Sequence, residues 1–234
     1  MSELYEQALE AFRTGDNERA RGLSERLAES GDPRARILGL CMLARVELRD
    51  GDLGRVGALA GEAREAARGL GDQEAERMPL HLQAAAARMA GETDEARRLY
   101  GESIELNRRL GKDFVAGELH NLAYVELHDG KLDRAKELFR QSLELAQEKG
   151  LDSLLPYLVV DAGVVAAEEG AFERAARLLA AADAAFEASG TVLDPDDHVE
   201  FERALEMTRA ALHPSTFDAA WQQGRGLSVA NALA

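Results

Sequence analysis

Residues 113–150 read DFVAGELHNLAYVELHDGKLDRAKELFRQSLELAQEKG, and this stretch decides the fold. Its apolar residues recur at steps of three, four and seven, among them Leu122, Val125, Leu132 and Leu138. Such spacing places them along one face of each of two helices. Gly130 lies between the two halves, where a glycine can end one helix before the next begins. The stretch therefore predicts a helical hairpin.

The same arrangement returns along the whole chain. A glycine is followed five residues later by a small or branched apolar residue in five pairs: Gly15/Ala20, Gly51/Val56, Gly91/Ala96, Gly130/Ala135 and Gly170/Ala175. The period of roughly 40 residues is typical of a solenoid, in which each unit buries its apolar face against its neighbours. A coiled coil is excluded because the glycines interrupt every heptad pattern, and a four-helix bundle cannot hold so many short helices.

Turn signals divide residues 1–190 into ten helices that pair as five hairpins. The glycines at these turns are Gly15, Gly31, Gly51, Gly71, Gly91, Gly111, Gly130, Gly150, Gly170 and Gly190. After residue 190 the period ends. A longer helix is predicted from about Pro195 to Leu212, and a short last helix follows Pro214, where Ser215 and Asp218 have capping-box spacing. These last helices are expected to cover the end of the array.

Composition limits the possible functions. The chain has 28 Lys and Arg against 43 Asp and Glu, a formal charge of −15, and 46% hydrophobic residues. This acidity argues against nucleic-acid and anionic-membrane partners, since those need clustered cations. A single cysteine and the lack of a secretion signal favour a cytoplasmic location. No catalytic or cofactor motif is found in its required context, so we expect no enzyme activity, no cofactor and no metal.

The repeat units resemble tetratricopeptide repeats (TPRs). The fourth unit carries the pattern of small, large and turn residues as Asn121-Leu122-Ala123, Gly130, Ala135, Phe139 and Ser142, and the third as Ala84, Gly91, Ala96, Tyr100 and Ser103. The resemblance covers roughly residues 2–190. It implies an all-α fold, a right-handed superhelical solenoid of about five TPR-like hairpins plus C-terminal capping helices. The predicted repeats are 1–32, 33–72, 73–112, 113–150 and 151–190, with the capping helices of 191–234 in the same domain.

The C-terminal part carries a second resemblance, in residues 177–182, 201–205 and 217–228. These runs look like the C-terminal TPR sensor segment of large ATP-binding LuxR/MalT-like transcriptional regulators. That resemblance implies a sensor for effectors or partner proteins. The chain has neither a Walker-type phosphate loop nor a basic DNA-reading helix, so it is read as a stand-alone relative or a fragment of such a regulator, and the Met1-Ser2 start favours a stand-alone protein.

In proteins with such repeats the first helix of each hairpin lines a concave groove. Mapped onto this chain, the resemblance gives the predicted binding residues Arg45, Arg49, His81, Arg88, His120, Asn121, Tyr124, Tyr157 and Asp161. Arginine suits carboxylates and phosphates because its planar fork can bind both oxygens at once. In this family an asparagine at the position of Asn121 often holds a peptide backbone. The alternative is that the arginines lie on solvated faces between neighbouring acids.

Cys41, His81 and His120 occupy the same position in successive units, which raises the possibility of a metal site. Adjacent helix axes lie roughly 8–10 Å apart, so the outer two residues would be about 20 Å apart. Zinc ligands must all lie within about 2.3 Å of one ion, which excludes a shared site. A pH-responsive His81/His120 pair is the remaining hypothesis for these residues.

The sequence therefore predicts a protein- or peptide-binding TPR scaffold with a regulatory role. The expected partner is a peptide that is acidic or has a free C-terminal carboxylate. The alternative is a small-molecule effector-sensing domain. Self-association through the first helix, with Tyr5, Leu9 and Phe12, is a further possibility because no repeat precedes it.

Overall fold

The computed structural model describes residues 3–234, which form thirteen α-helices and no strand. The helices are α1 Glu3–Arg13, α2 Asn17–Ala28, α3 Pro33–Asp50, α4 Leu53–Gly69, α5 Arg77–Met89, α6 Thr93–Arg109, α7 Val115–His128, α8 Leu132–Lys149, α9 Leu155–Glu168, α10 Phe172–Ser189, α11 Pro195–Ala211, α12 Pro214–Arg225 and α13 Val229–Ala232. The ten predicted repeat helices correspond to α1–α10, and the predicted capping region forms α11–α13.

The helix boundaries follow from local chemistry. Aspartates that succeed the turn glycines cap the next helix: the Asp16 carboxylate accepts from the Arg19 backbone N–H at 3.1 Å, and the Asp52 carboxylate from that of Arg55 at 2.9 Å. Nine of the ten predicted turn glycines have a positive φ. Gly31 is the exception, because α2 already ends at Ala28 and Asp32 caps α3.

Pro79 and Pro156 lie in the first turns of α5 and α9, where the backbone N–H has no intrahelical acceptor in any case, so neither proline interrupts its helix. The predicted capping box of Ser215 and Asp218 was wrong. The helix begins at Pro214, and the His213 side chain accepts from the Ser215 N–H.

The described helices fall into two compact units, Met1–Gly130 with α1–α7 and Lys131–Ala234 with α8–α13. We call them unit 1 and unit 2. The division lies in the turn between α7 and α8, inside the predicted repeat 113–150. The predicted repeat limits and the single domain stay predictions.

In unit 1 every helix packs against the next along the chain. The odd-numbered helices also contact one another in sequence, α1 with α3, α3 with α5, and α5 with α7. Small residues permit this close packing. A Cβ added at Gly39 of α3 would lie 2.3 Å from the Ala28 backbone nitrogen, so only glycine fits there. Unit 1 is therefore a row of hairpins whose odd-numbered helices lie side by side.

Unit 2 is organised around one helix, α10, against which α9, α11, α12 and α13 pack. The buried side of α10 is rich in alanine, including Ala175, Ala176 and Ala180. A Cβ added at Gly224 of α12 would lie 2.2 Å from the Arg177 carbonyl oxygen, so α12 approaches the α10 backbone directly. Unit 2 thus departs from the simple row of hairpins.

These observations confirm the all-α helical repeat fold and its atypical C-terminal helices. Within residues 3–234, no helix combines the length and the apolar character that crossing a membrane requires.

Candidate functional site

The odd-numbered helices of unit 1 present the predicted binding residues of that unit. We call their shared surface the odd-helix face. On α3, Leu38, Arg45 and Arg49 are separated by seven and four residues, so they lie along one stripe. All three are half-buried. On α1, Tyr5 and Leu9 pack partly against the cluster of Phe12, Met42 and Val46.

Two arginines of α3 meet over one aromatic ring of α1. The Cζ atoms of Arg45 and Arg49 lie 4.3 and 3.8 Å from the centroid of the Phe12 ring. Phe12 is fully buried. Such contacts are attractive because the ring face carries partial negative charge. We call Arg45 and Arg49 the arginine pair.

Arg49 also has a structural role. Its Nη1 donates to the Phe12 carbonyl oxygen at 2.9 Å and to Asn17 Oδ1 at 2.8 Å. Phe12 is in the last turn of α1, and Asn17 begins α2. Arg49 therefore fastens the α1–α2 turn to α3, and its guanidinium is held in a fixed position.

Three further predicted residues form a second cluster between α5 and α7. The Arg88 Cζ lies 5.1 Å from the centroid of the Tyr124 ring, and the His120 ring meets that ring edge-on at 5.3 Å. All three are buried, with Arg88 only 4% exposed. In this conformation they join two helices, and a ligand on the surface would not contact them directly.

His81 belongs to a buried polar network that spans α5, α6 and α7. Its Nδ1 lies 3.2 Å from Glu118 Oε2, while Ser103 Oγ donates to Glu118 Oε1 at 2.6 Å. Asn107 Nδ2 donates to the Ser103 carbonyl oxygen at 2.9 Å, and Arg77 Nε donates to Asn107 Oδ1 at 2.5 Å. Glu118 is fully buried. The structure thus gives His81 and His120 different partners, Glu118 and Tyr124.

Asn121 is the predicted contact to a peptide backbone. Its Nδ2 donates to the Gly117 carbonyl oxygen at 3.0 Å, and the residue is 6% exposed. Its buried Oδ1 has no hydrogen-bond partner among residues 3–234. An unsatisfied buried amide oxygen is costly, and an incoming N–H group would satisfy it.

The last two predicted residues belong to unit 2. The Tyr157 ring on α9 meets the Phe186 ring on α10 edge-on, with centroids 5.0 Å apart. Asp161 is buried on α9. A surface shared between these residues and those of unit 1 stays a prediction.

A groove of about 400 Å³ lies elsewhere on unit 1, between α4 and α6. Leu53, Gly57 and Ala86 are part of its lining. The cations on its rim bind neighbouring side chains, since Arg64 Nη1 donates to Gln83 Oε1 at 3.0 Å and Arg98 pairs with Glu95. The groove contains none of the predicted binding residues.

Sequence reasoning missed the partners that organise these side chains. Phe12 was expected on the first helix in a self-association surface, but nothing linked its ring to two arginines that follow 33 and 37 positions later. Glu118 was overlooked although it was detectable. It is a charged residue among Val115, Leu119 and Leu122, where helical periodicity predicts a buried side chain.

No protein-family model matches the chain, and no curated protein sequence matches it. Solved structures do match. A Rap protein complexed with competence and sporulation factor superposes with a TM-score of 0.68 at 13% identity, covering 93% of this chain and 61% of that one.

Two further structures are similar. The apo form of RapI has a TM-score of 0.60 at 11% identity, covering 88% of this chain and 82% of RapI. BtubC from P. vanneervenii has a TM-score of 0.58 at 18% identity, covering 100% of this chain and 93% of BtubC. At these identities the likeness shows the helical repeat fold alone. The resemblance to LuxR/MalT-like regulators stays a prediction.

Proposed function

We propose that this protein binds a peptide, or an extended segment of a partner protein, on the odd-helix face of unit 1. The face combines half-buried apolar side chains, Tyr5, Leu9 and Leu38, with the guanidinium groups of Arg45 and Arg49. Aromatic residues and arginine are enriched in the centres of protein interfaces, where they supply contact area and hydrogen bonds together. The binding is proposed to serve a regulatory role in the cytoplasm.

The observation that carries the proposal is the arginine pair over Phe12. The chain has a formal charge of −15, yet this face gathers two cations within 4.3 Å of one ring. Concentrated positive charge on an acidic protein favours an acidic ligand, because the remaining surface repels it. An acidic peptide therefore matches the surface better than a basic or neutral one.

Two observations support a peptide over other ligands. The Rap protein of similar fold was solved in complex with competence and sporulation factor, so a helical repeat of this kind can hold a bound factor. In this chain, the unsatisfied Oδ1 of Asn121 on α7 can accept a hydrogen bond from a backbone N–H. The small-molecule alternative has no comparable supporting observation.

The test compares two leucines of similar burial on opposite rows of helices. Leu38 lies on the odd-helix face, whereas Leu23 lies on α2. Short random peptides displayed on phage are selected on the full chain, and the affinities of the enriched peptides are measured by fluorescence anisotropy. Leu38→Glu is expected to weaken binding at least about tenfold, through lost apolar contact and repulsion of acidic peptides.

The matched control, Leu23→Glu, is expected to bind as the wild type does. Circular dichroism must show that both variants keep their helical content. Wild-type affinity in folded Leu38→Glu would contradict the proposed surface. A selection that enriches no binding peptide would contradict peptide binding itself.

A further inference from the structure

The C-terminal helices of unit 2 carry an arginine and two aromatic rings that stack in one column. The Cζ atom of Arg209 on α11 lies 5.2 Å from the centroid of the Phe217 ring on α12. The Phe217 ring in turn stacks on the Trp221 ring, with centroids 5.5 Å apart and an interplanar angle of 24°. We call these three residues the aromatic column. The column belongs to unit 2 and is separate from the odd-helix face.

We propose that the aromatic column is a second interaction site, which docks a segment of a partner protein with an aspartate or glutamate side chain beside an apolar side chain. Arg209 binds the carboxylate, and the apolar side chain packs on the Trp221 ring. Three properties of the column support this site: the unpaired donors of Arg209, the partly exposed indole ring and the fixed position of α12.

The guanidinium group of Arg209 has unpaired hydrogen-bond donors. Arg209 is exposed, and within residues 3–234 it forms neither a hydrogen bond nor an ion pair, although Glu206 precedes it by three residues on α11. Arg203 and Arg225, the other two arginines of α11 and α12, both pair with carboxylates. The attraction between a guanidinium group and a ring needs no acceptor, so the N–H groups of Arg209 stay available for the two oxygens of a carboxylate.

The Trp221 ring offers apolar contact area one ring away from this cation. Phe217 is 8% exposed, whereas Trp221 is only partly buried. The indole N–H of Trp221 has no acceptor in the described part of the chain. Tryptophan and arginine are enriched among the residues that dominate binding energy at protein interfaces. The column therefore suits a segment in which an acidic and an apolar side chain are neighbours.

The packing of α12 against α10 holds the column in place. Phe217 and Ala220 are buried, and a Cβ added at Gly224 would lie 2.2 Å from the Arg177 carbonyl oxygen. A preformed site loses little conformational entropy on binding, so its contacts give more net affinity. The chain has a formal charge of −15, so an acidic segment is repelled by most of the surface and attracted to a local cation.

The experiment isolates ligands of the column by depletion. Random peptides displayed on phage are first passed over the Arg209→Glu chain, which keeps the odd-helix face and removes peptides that bind there, and are then selected on the wild type. Enriched peptides that lack tryptophan are synthesised as selected and with every Asp and Glu changed to Asn and Gln. Trp221 is the only tryptophan of the chain, so acrylamide quenching with unlabelled peptides reports contact with its ring.

Affinities of fluorescein-labelled copies are measured by anisotropy for the wild type, Arg209→Gln, Arg209→Glu and the control Arg174→Glu. Arg174 is exposed on α10 of the same unit and lies over no ring among the described residues. Leu38→Glu is the second control, because it alters only the odd-helix face. Circular dichroism must show that every variant keeps its helical content.

We expect the selected peptides to carry an Asp or Glu beside an apolar residue. They should bind Arg209→Glu at least about tenfold more weakly than the wild type, Arg174→Glu or Leu38→Glu. Neutralising the acids of the peptide should weaken wild-type binding about tenfold but binding to Arg209→Gln by less than about threefold, because the cation is already gone. Bound peptide should also shield Trp221 from acrylamide.

Three results would overturn the site: no peptide left after depletion, wild-type affinity in folded Arg209→Glu, and unchanged quenching of Trp221. Peptides that lose their binding in Leu38→Glu instead would belong to the odd-helix face, which would refute this site and leave the proposed function standing. A dimer that is seen by sedimentation and lost in Arg209→Glu would assign the column to self-association and refute the partner segment.

Discussion

Unit 1 and unit 2 share one helical architecture but hold their helices together differently. In unit 1 each helix meets its nearest neighbours, and polar or cationic side chains bridge several of these contacts, as Glu118 and the arginine pair do. In unit 2 four helices converge on α10, whose buried side is largely alanine. Small apolar side chains permit close backbone approach, whereas buried polar groups fix particular partners.

Two positions in the same register show the difference. Glu118 lies twelve residues before Gly130, and Leu158 lies twelve residues before Gly170. Both side chains are buried. The first joins a hydrogen-bond network, and the second belongs to the apolar core. The same repeat position therefore forms hydrogen bonds with particular partners in unit 1 and packs in the apolar core in unit 2.

The largest losses of stability are expected from substitutions that disturb close backbone packing, one in each unit. Gly224→Ala places a methyl group 2.2 Å from the Arg177 carbonyl oxygen, and Gly39→Ala places one 2.3 Å from the Ala28 backbone nitrogen. Because the helix backbones must shift to admit the methyl group, each change is expected to cost about 3 kcal/mol of unfolding free energy. Urea unfolding measures it, with the single tryptophan, Trp221, reporting on unit 2 and thiol labelling of the single cysteine, Cys41, on unit 1.

The control for this pair is Gly57→Ala on α4, where an added methyl group meets nothing within 4 Å. Alanine is a better helix former, so this variant should gain about 0.5–1 kcal/mol. Gly224→Ala should shift the Trp221 transition more than the Cys41 labelling, and Gly39→Ala should do the reverse. Equal shifts of both probes would show that the two units unfold together. That result would contradict the distinction drawn between them.

A smaller effect is expected from the buried network of unit 1. Glu118→Gln replaces one carboxylate oxygen by an NH₂ group, so the buried side chain can no longer accept through both of its terminal atoms, at Ser103 Oγ and at His81 Nδ1. The expected loss is about 2 kcal/mol, seen in the Cys41 labelling rate. The exposed Glu105→Gln on α6 is the matched control and should change stability by less than about 0.5 kcal/mol. An unchanged labelling rate in Glu118→Gln would show that the network does not hold the helices of unit 1 together.

The smallest effect is the loss of stability expected at pH 10, and it is confined to unit 1. Burial raises the pKa of the Cys41 thiol from 9.0 to about 12, and the Arg45 charge opposes this weakly. The folded state therefore keeps a proton that the unfolded state releases. The stabilisation is complete well below pH 9 and is lost as the pH rises towards 12, with about 1.4 kcal/mol gone at pH 10.

Comparison with Cys41→Ala isolates this contribution. Unfolding of unit 1 is followed by hydrogen exchange of its amides at a series of pH values, since the variant lacks the thiol. The wild type should lose stability faster than Cys41→Ala above pH 9, because only the wild type has the titrating group. Parallel curves of stability against pH for the two proteins would show that the thiol ionises as readily in the folded chain as in the unfolded one.

The sequence predicted the fold well because its signals are local and repeated. Turn glycines, capping aspartates and helical periodicity each act over a few residues, so α1–α10 and the limits of α11 could be inferred directly. The conformation of Gly31 and the cap of α12 were less predictable. In both places a competing local cap, Asp32 or His213, determined the helix boundary.

The candidate site was only partly predictable. Repeat position assigned Arg45 and Arg49 to the same helix, and helix geometry alone sets them on one stripe. It could not show that Arg88, His120 and Tyr124 are buried, since burial depends on the packing of α5 against α7. The Phe12 ring and the Glu118 network come from distant parts of the chain, and no short-range pattern encodes those pairings.

Among the described residues, α1 packs mainly on α2 and α3, so the hairpin of α1 and α2 can fray without disturbing the distant part of unit 1. Fraying would carry Phe12 away from Arg45 and Arg49 and so disrupt the proposed binding site for an acidic ligand. A ligand bound there would contact both of the first two hairpins and hold them together. Ligand binding should therefore register as slower deuterium uptake by the amides of α1.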